Sequence, residues 1–124
     1  MTRTRLELLQ WFGLIGGALA WTVEHVVGYG VGDAACNVAG RQWGLPATTA
    51  QIVLAVATGA VVLAAESAAV VVFRATQQAD RDAPGPAGRL HFFAEAALLG
   101  NVLFFVMIVF DVVSTVYHLP CRQS

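Results

Sequence analysis

Lysine is absent from this 124-residue chain, whose seven cations are Arg3, Arg5, Arg41, Arg74, Arg81, Arg89 and Arg122. Charge of either sign is scarce, at 12% of residues, against about a quarter in an average soluble domain. A formal net charge of -1 leaves no basic surface for nucleic acid to find. Also missing are the usual patterns of enzymes and prosthetic-group sites. There is no GxSxG, no phosphate-cradling glycine loop, no CxxCH, and no HxxEH or ExxH ligand spacing. A protein that does not itself catalyse, with no cofactor of its own, is the expectation. No repeat recurs at a fixed period, so the length allows one unit, residues 1–124.

What is present is apolar sequence. Hydrophobic residues make up 57% of the chain, and the mean hydropathy is +0.67. A bilayer core about 30 Å thick needs about 20 apolar residues in a helix. Three stretches qualify, at about 11–31, 52–73 and 90–119. The fold class expected is therefore all-α, an integral membrane three-helix bundle. The third stretch is longer than a span requires, which predicts tilt or projection beyond the bilayer. Between the second and third, residues 74–89 carry Gln77, Gln78, Asp80, Arg81, Asp82 and a Pro84-Gly85-Pro86 turn, a solvated loop.

Threading the spans places Arg3, Arg5, Arg74, Arg81 and Arg89 on one side and Arg41 and Arg122 on the other. Cation bias in short loops sets orientation, so the N-terminus is expected in the cytoplasm and the C-terminus outside. The Met1 to Arg5 start and the apolar run after it also resemble a signal peptide, but the run is too long and carries Glu24 and His25. An uncleaved first helix is expected. Cys36 and Cys121 then fall on the same outer, oxidising side and could bridge, clamping the outer ends of helices 1 and 3. Two independent small residues are the alternative.

The spans are not purely apolar. In the first, Gly13, Gly17, Ala20, Glu24 and Gly28 share one helical face, a stripe on which another helix can dock closely. Glu24 stands in it as a hydrogen-bonded packing residue or as a proton or ion site. In the third, Ala97, Asn101, Phe104, Ile108, Asp111, Thr115 and His118 form a second stripe. An outer polar layer of Glu24, His25, Asp111 and His118 is expected, since an isolated ion in hydrocarbon costs several kcal/mol unless paired. Glu66 and Glu95 form a candidate inner layer, on faces turned toward other subunits. Hiding four carboxyls argues for a larger complex or a homo-oligomer.

His25 and His118 are weak candidates for haem ligation, set against packed or interfacial histidines. Cys36, Cys121 and His118 could join in a metal site, although a disulfide explains the cysteines more simply, and no metal site is expected. His91, beside Arg89, reads as an interfacial group. Trp11, Trp43, Tyr29 and Tyr117 read as belt anchors, whereas Trp21 falls near mid-span and should pack against a neighbour or lipid. The outer segment 32–49, with Asn37, Arg41, Gln42, Trp43 and Pro46, is expected to lie along the membrane surface or meet a partner.

The run from Trp11 to Trp21, WFGLIGGALAW, followed by His25, Gly28-Tyr29, Cys36-Asn37 and the closing Leu119-Pro120-Cys121, resembles a known group. Its members are small uncharacterised three-helix bacterial membrane proteins associated with haem-copper cytochrome c oxidases. The resemblance covers the first helix, the first outer loop and the C-terminal tail. This sequence departs from the group in having Gly17-Ala18 where Gly-Pro is frequent, and in placing Glu24 before the histidine. The resemblance implies an accessory subunit whose partners are larger membrane subunits of a terminal oxidase and the lipid bilayer. From the residues, a homo-oligomeric proton or ion conductor using Glu24, Asp111 and Glu66, and a small haem-binding protein, are the alternatives.

Overall fold

The computed structural model describes residues 1–36, 46–78 and 85–117. Three helices follow one another: α1 (Arg3–Cys36), α2 (Ala47–Ala75) and α3 (Pro86–Tyr117). All three are long and apolar enough to cross a membrane. At 1.5 Å per residue they run about 50, 43 and 48 Å, well beyond a hydrocarbon core of about 30 Å. Each described helix therefore overruns the expected span at its N-terminal end, and α1 and α2 do so at both ends. Helix α1 absorbs 32–36 of the expected outer loop and α2 absorbs 47–49. The second connection shortens too, because Arg74 and Ala75 belong to α2 and Pro86 to Arg89 belong to α3. The outer-loop residues Asn37, Arg41, Gln42 and Trp43, and the loop residues Asp80, Arg81 and Asp82, lie outside the described residues.

Local chemistry sets the ends. Thr2 caps α1: its hydroxyl accepts from the Arg5 amide at 3.4 Å and its carbonyl from Leu6 at 3.2 Å. Helix α2 follows Pro46, whose carbonyl accepts from Ala50 at 3.0 Å, and it stops at Thr76, whose hydroxyl returns to the Val72 carbonyl at 2.8 Å. Gly85 turns the chain with φ 126, a value that favours glycine, and Pro86 occupies the first position of α3, where a missing N–H costs nothing.

Every pair of helices is in contact. The buried residues are mostly small: Ala20, Ala55, Ala65, Ala68, Ala69, Ala94 and Ala97, with Val62, Val72, Leu90 and Ile108 as the larger ones. Small side chains let backbones approach, which is how helices pack when lipid supplies no hydrophobic drive. At Gly13 a Cβ would stand 3.2 Å from the Ala65 carbonyl oxygen and from the Ala69 nitrogen, so α1 lies directly on the α2 backbone there. Large apolar side chains point outward instead, among them Leu19, Val26, Val56, Leu99, Leu103 and Phe110. Such a surface suits lipid rather than water. The hydroxyls of Thr22, Thr58, Ser67 and Thr115 each donate to the carbonyl four residues back, at 2.8 to 2.9 Å, and so need no water.

Candidate functional site

The polar side chains of the three helices gather at three levels of the bundle. The first lies at the end that carries the N-terminus. His91, only 8% exposed, comes from the start of α3. Its Nδ1 meets the Thr76 hydroxyl at 3.0 Å, its ring stacks on Phe73 at 4.8 Å, and its Nε2 lies 3.7 Å from Glu95 Oε1. Because the Thr76 hydroxyl already donates to Val72, it accepts from His91, which places a proton on Nδ1. The expected interfacial His91 is thus a buried tie between α2 and α3. Above the same end, Glu7 pairs with Arg3 at 3.1 Å and lies 4.0 Å from Arg89.

The second level joins all three helices. Asn101 of α3, 2% exposed, donates its side-chain N–H to the Gly13 carbonyl of α1 at 2.9 Å. Glu66 of α2 has the Asn101 side chain as its polar neighbour. Glu66 Oε2 is buried with no partner. The face of α2 bearing Ala55, Gly59 and Glu66 was expected to look toward other subunits; Ala55 and Gly59 are buried and Glu66 meets Asn101, so it turns into the bundle. Glu95 lies with His91, more than a helical turn from Asn101, so Glu66 and Glu95 have different neighbours.

At the third level, toward the α1–α2 connection, Glu24 is 6% exposed. Its Oε2 is buried without a partner. His25, with its side chain 61% exposed, has Nδ1 4.0 Å from Asp111 Oδ2. Its ring stacks on Trp21 at 5.4 Å, and Trp21 in turn lies 5.8 Å from Phe104. Of the four residues of the expected outer layer, His25 and Asp111 lie near one another and His118 lies outside the described residues; Trp21 packs on its neighbours. One turn further on, Gln51 of α2 donates to the Gly28 carbonyl at 3.1 Å.

Between the second and third levels the described interior is apolar apart from Thr58, whose hydroxyl bonds back to its own helix. Ala20, Ala55, Val62 and Ile108 fill it, backed by Trp21, Phe105 and Val112. Asn101 and Asp111 are separated along α3 by about 15 Å.

The stripe of Gly13, Gly17, Ala20 and Glu24 faces α2 and α3 of this same chain. A Cβ on Gly17 would run into Asn101 Oδ1. Gly28 is half-buried and engaged with Gln51. The surface expected to receive a larger subunit is therefore occupied by internal packing. What lies open on the outside is an apolar groove of about 540 Å³ between α1 and α2, with Phe12, Leu19, Val23 and Val61 among its walls.

His118, the second haem-ligand candidate, and Cys121, one half of the expected bridge, lie outside the described residues. Cys36, the last residue of α1, is not a free thiol. Among the described residues, no group of three or more His, Cys, Asp or Glu is arranged to hold a metal ion. Sequence reasoning missed Thr76 and Gln51, which are ordinary polar residues until a neighbouring helix supplies the second partner. No family model, curated protein or solved structure matches the chain.

Proposed function

We propose that this chain is a multi-pass protein of the bacterial inner membrane and an accessory, non-catalytic subunit of a respiratory complex, in particular a terminal cytochrome oxidase assembly. The N-terminus and the α2–α3 connection lie in the cytoplasm in this reading, and Cys36 pairs with Cys121 outside. The observation that supports it is the way polarity is distributed. Glu24 is buried and Glu66 half-buried between the helices, while the outward faces carry large apolar side chains. A bundle with that surface makes its outside contacts by apolar packing, which is a scaffolding arrangement. The partner's identity rests on the resemblance of helix 1 and the C-terminal tail.

A homo-oligomeric conductor is the second reading, and one observation weighs against a path through a single bundle. Proton transfer needs a chain of hydrogen-bonding groups or water, and over the roughly 15 Å between Asn101 and Asp111 the buried side chains described are apolar apart from Thr58, whose hydroxyl is spent on the Leu54 carbonyl of its own helix. The test is a mild-detergent pull-down of the tagged chain from its native membrane, with an absorption spectrum and mass spectrometry on the eluate. Recovery of haem-rich oxidase subunits is the expected result. Recovery of the chain alone, colourless and as one discrete oligomer, would overturn the accessory reading in favour of the conductor.

A further inference from the structure

We propose that the groove between α1 and α2 is a binding site for one phospholipid, which lays an acyl chain along the groove and sets its phosphate against Arg5. Such a site needs the helices to lie in a bilayer but needs no particular partner subunit.

The groove has the dimensions of a single hydrocarbon chain. It encloses about 540 Å³, within the range of about 300–1,000 Å³ usual for sites that take one small molecule. Its α1 wall runs from Trp11 to Val23, about 18 Å at 1.5 Å per residue. One leaflet of a hydrocarbon core about 30 Å thick is about 15 Å deep, so a chain lying in the groove reaches from the headgroup boundary to the bilayer midplane. About 540 Å³ over about 18 Å is a mean section of about 30 Å². A helix, about 10–12 Å across with its side chains, would bridge over so narrow a channel rather than fill it. The channel exists because Gly16 and Ala20 lie buried beneath it while Phe12, Leu19 and Val61 stand up at its sides. At Gly16 a Cβ would stand 3.2 Å from the Ala65 Cβ and from the Phe12 ring. Apart from the Trp11 ring at the headgroup end, the one polar side chain in the lining is Thr58, and its hydroxyl donates to the Leu54 carbonyl at 2.9 Å. The deeper walls therefore offer an occupant apolar contact.

Charge stands where the headgroup of that lipid would be. Arg5, Leu8, Phe12, Ile15 and Leu19 recur at spacings of 3, 4, 3 and 4 and share one face of α1, which puts the exposed Arg5 in line with the groove. It lies about 9 Å along the helix from Trp11, beyond the apolar stretch. The polar layer of a bilayer extends about 5–8 Å past the hydrocarbon on each side, so Arg5 is at phosphate depth. A guanidinium binds phosphate through paired N–H donors as well as through charge. Glu7, two residues on, projects from the opposite side of α1, where it meets Arg3 at 3.1 Å and lies 4.0 Å from Arg89. A phosphate on the Arg5 face is thus kept apart from that carboxylate. A lipid without phosphate would fill the groove and leave Arg5 unused.

The test is native mass spectrometry of the full chain released from nanodiscs that hold equal amounts of phosphatidylglycerol and diacylglycerol with the same acyl chains. The unsubstituted chain should retain one lipid, with phosphatidylglycerol favoured about fivefold, the advantage that one arginine at a membrane surface supplies. Arg5→Gln should retain the two lipids equally, and Arg5→Lys should restore the preference. Ala57→Trp fills the groove from its exposed α2 rim and should abolish retention. Val23→Trp, on the facing wall, should do the same, so the outcome does not hang on the folding of one variant. Leu103→Trp, on the outward surface of α3, should leave retention intact. Undiminished retention in both groove variants, or equal losses in all three tryptophan variants, would mark the lipid as part of the general annulus and overturn the site. Equal retention of the two lipids by the unsubstituted chain would overturn the phosphate contact. A lipid-free homodimer that Ala57→Trp dissociates would give the groove to a second copy of the chain instead.

Discussion

Asn101 of α3 reaches across the bundle to donate to the Gly13 carbonyl of α1 at 2.9 Å, with its Oδ1 standing where a side chain on Gly17 would go. That one amide thereby sets how closely α1 and α3 lie together, and it is also the polar neighbour of Glu66 of α2. Hydrogen bonds between helices in lipid average about 0.6 kcal/mol and reach about 1.7. Asn101→Leu removes the bond to Gly13 and takes a polar neighbour from Glu66, so a loss of about 1–2 kcal/mol is expected. Reversible unfolding in mixed micelles measures it. Adding Glu66→Leu should recover part of the loss, and strictly additive effects would show that the two side chains are not coupled.

Close approach at the glycines predicts where bulk is refused. Gly13→Val puts a branched side chain against the α2 backbone, and Gly17→Leu puts one into Asn101. Each should destabilise the isolated chain by about 1–3 kcal/mol through overpacking. Leu99→Ala and Leu103→Ala, on the outward surface of α3, should change monomer stability by less than about 0.5 kcal/mol. Thermal unfolding of the purified variants separates the two groups. Normal stability of Gly17→Leu with loss of co-purifying subunits would instead put that face at an external interface.

The α2–α3 hairpin should depend on Thr76. Thr76→Val removes the acceptor of the His91 Nδ1 proton, and a buried donor left unmade costs about 1–3 kcal/mol. His91→Phe keeps the stacking on Phe73 without the polar edge and should rescue much of the Thr76→Val defect. Stability of the single and double variants in the same micelle system is the readout. Equal costs for Thr76→Val in both backgrounds would show that the hydrogen bond contributes little.

Orientation is open to a labelling test. In a chain with Cys36→Ser and Cys121→Ser, a Gln78→Cys thiol on the proposed cytoplasmic connection should resist a membrane-impermeant maleimide in intact cells and react after lysis. An Asp33→Cys thiol, near the other end of α1, should react in intact cells. The opposite pattern would invert the topology. In the unsubstituted chain, non-reducing mass spectrometry should find Cys36 and Cys121 on one linked peptide.

Three helices, their order and the approximate position of each span were legible in the sequence, because apolar run length is a local property that needs no partner to be read. Helix ends were less so: capping by Thr2 and Thr76 and the turn at Gly85 carried the helices past the apolar stretches. The nearness of His25 and Asp111 is in keeping with their depth and helical phase. His91 was misplaced because its environment is made by Phe73 and Thr76 on a different helix.

Composition and apolar run length by themselves determined that this protein is helical and long enough in each helix to cross a bilayer. The tertiary structure decided which faces meet. The stripe of Gly13, Gly17, Ala20 and Glu24 was visible as a stripe, but a stripe specifies only that some helix can come close. Packing against α2 and α3 assigned it to this chain's own interior, set Glu66 beside Asn101 rather than an outside partner, and separated the polar levels with Ala20, Val62 and Ile108. Which helix fills a groove depends on the shapes of all three at once, and no single segment of sequence contains that information.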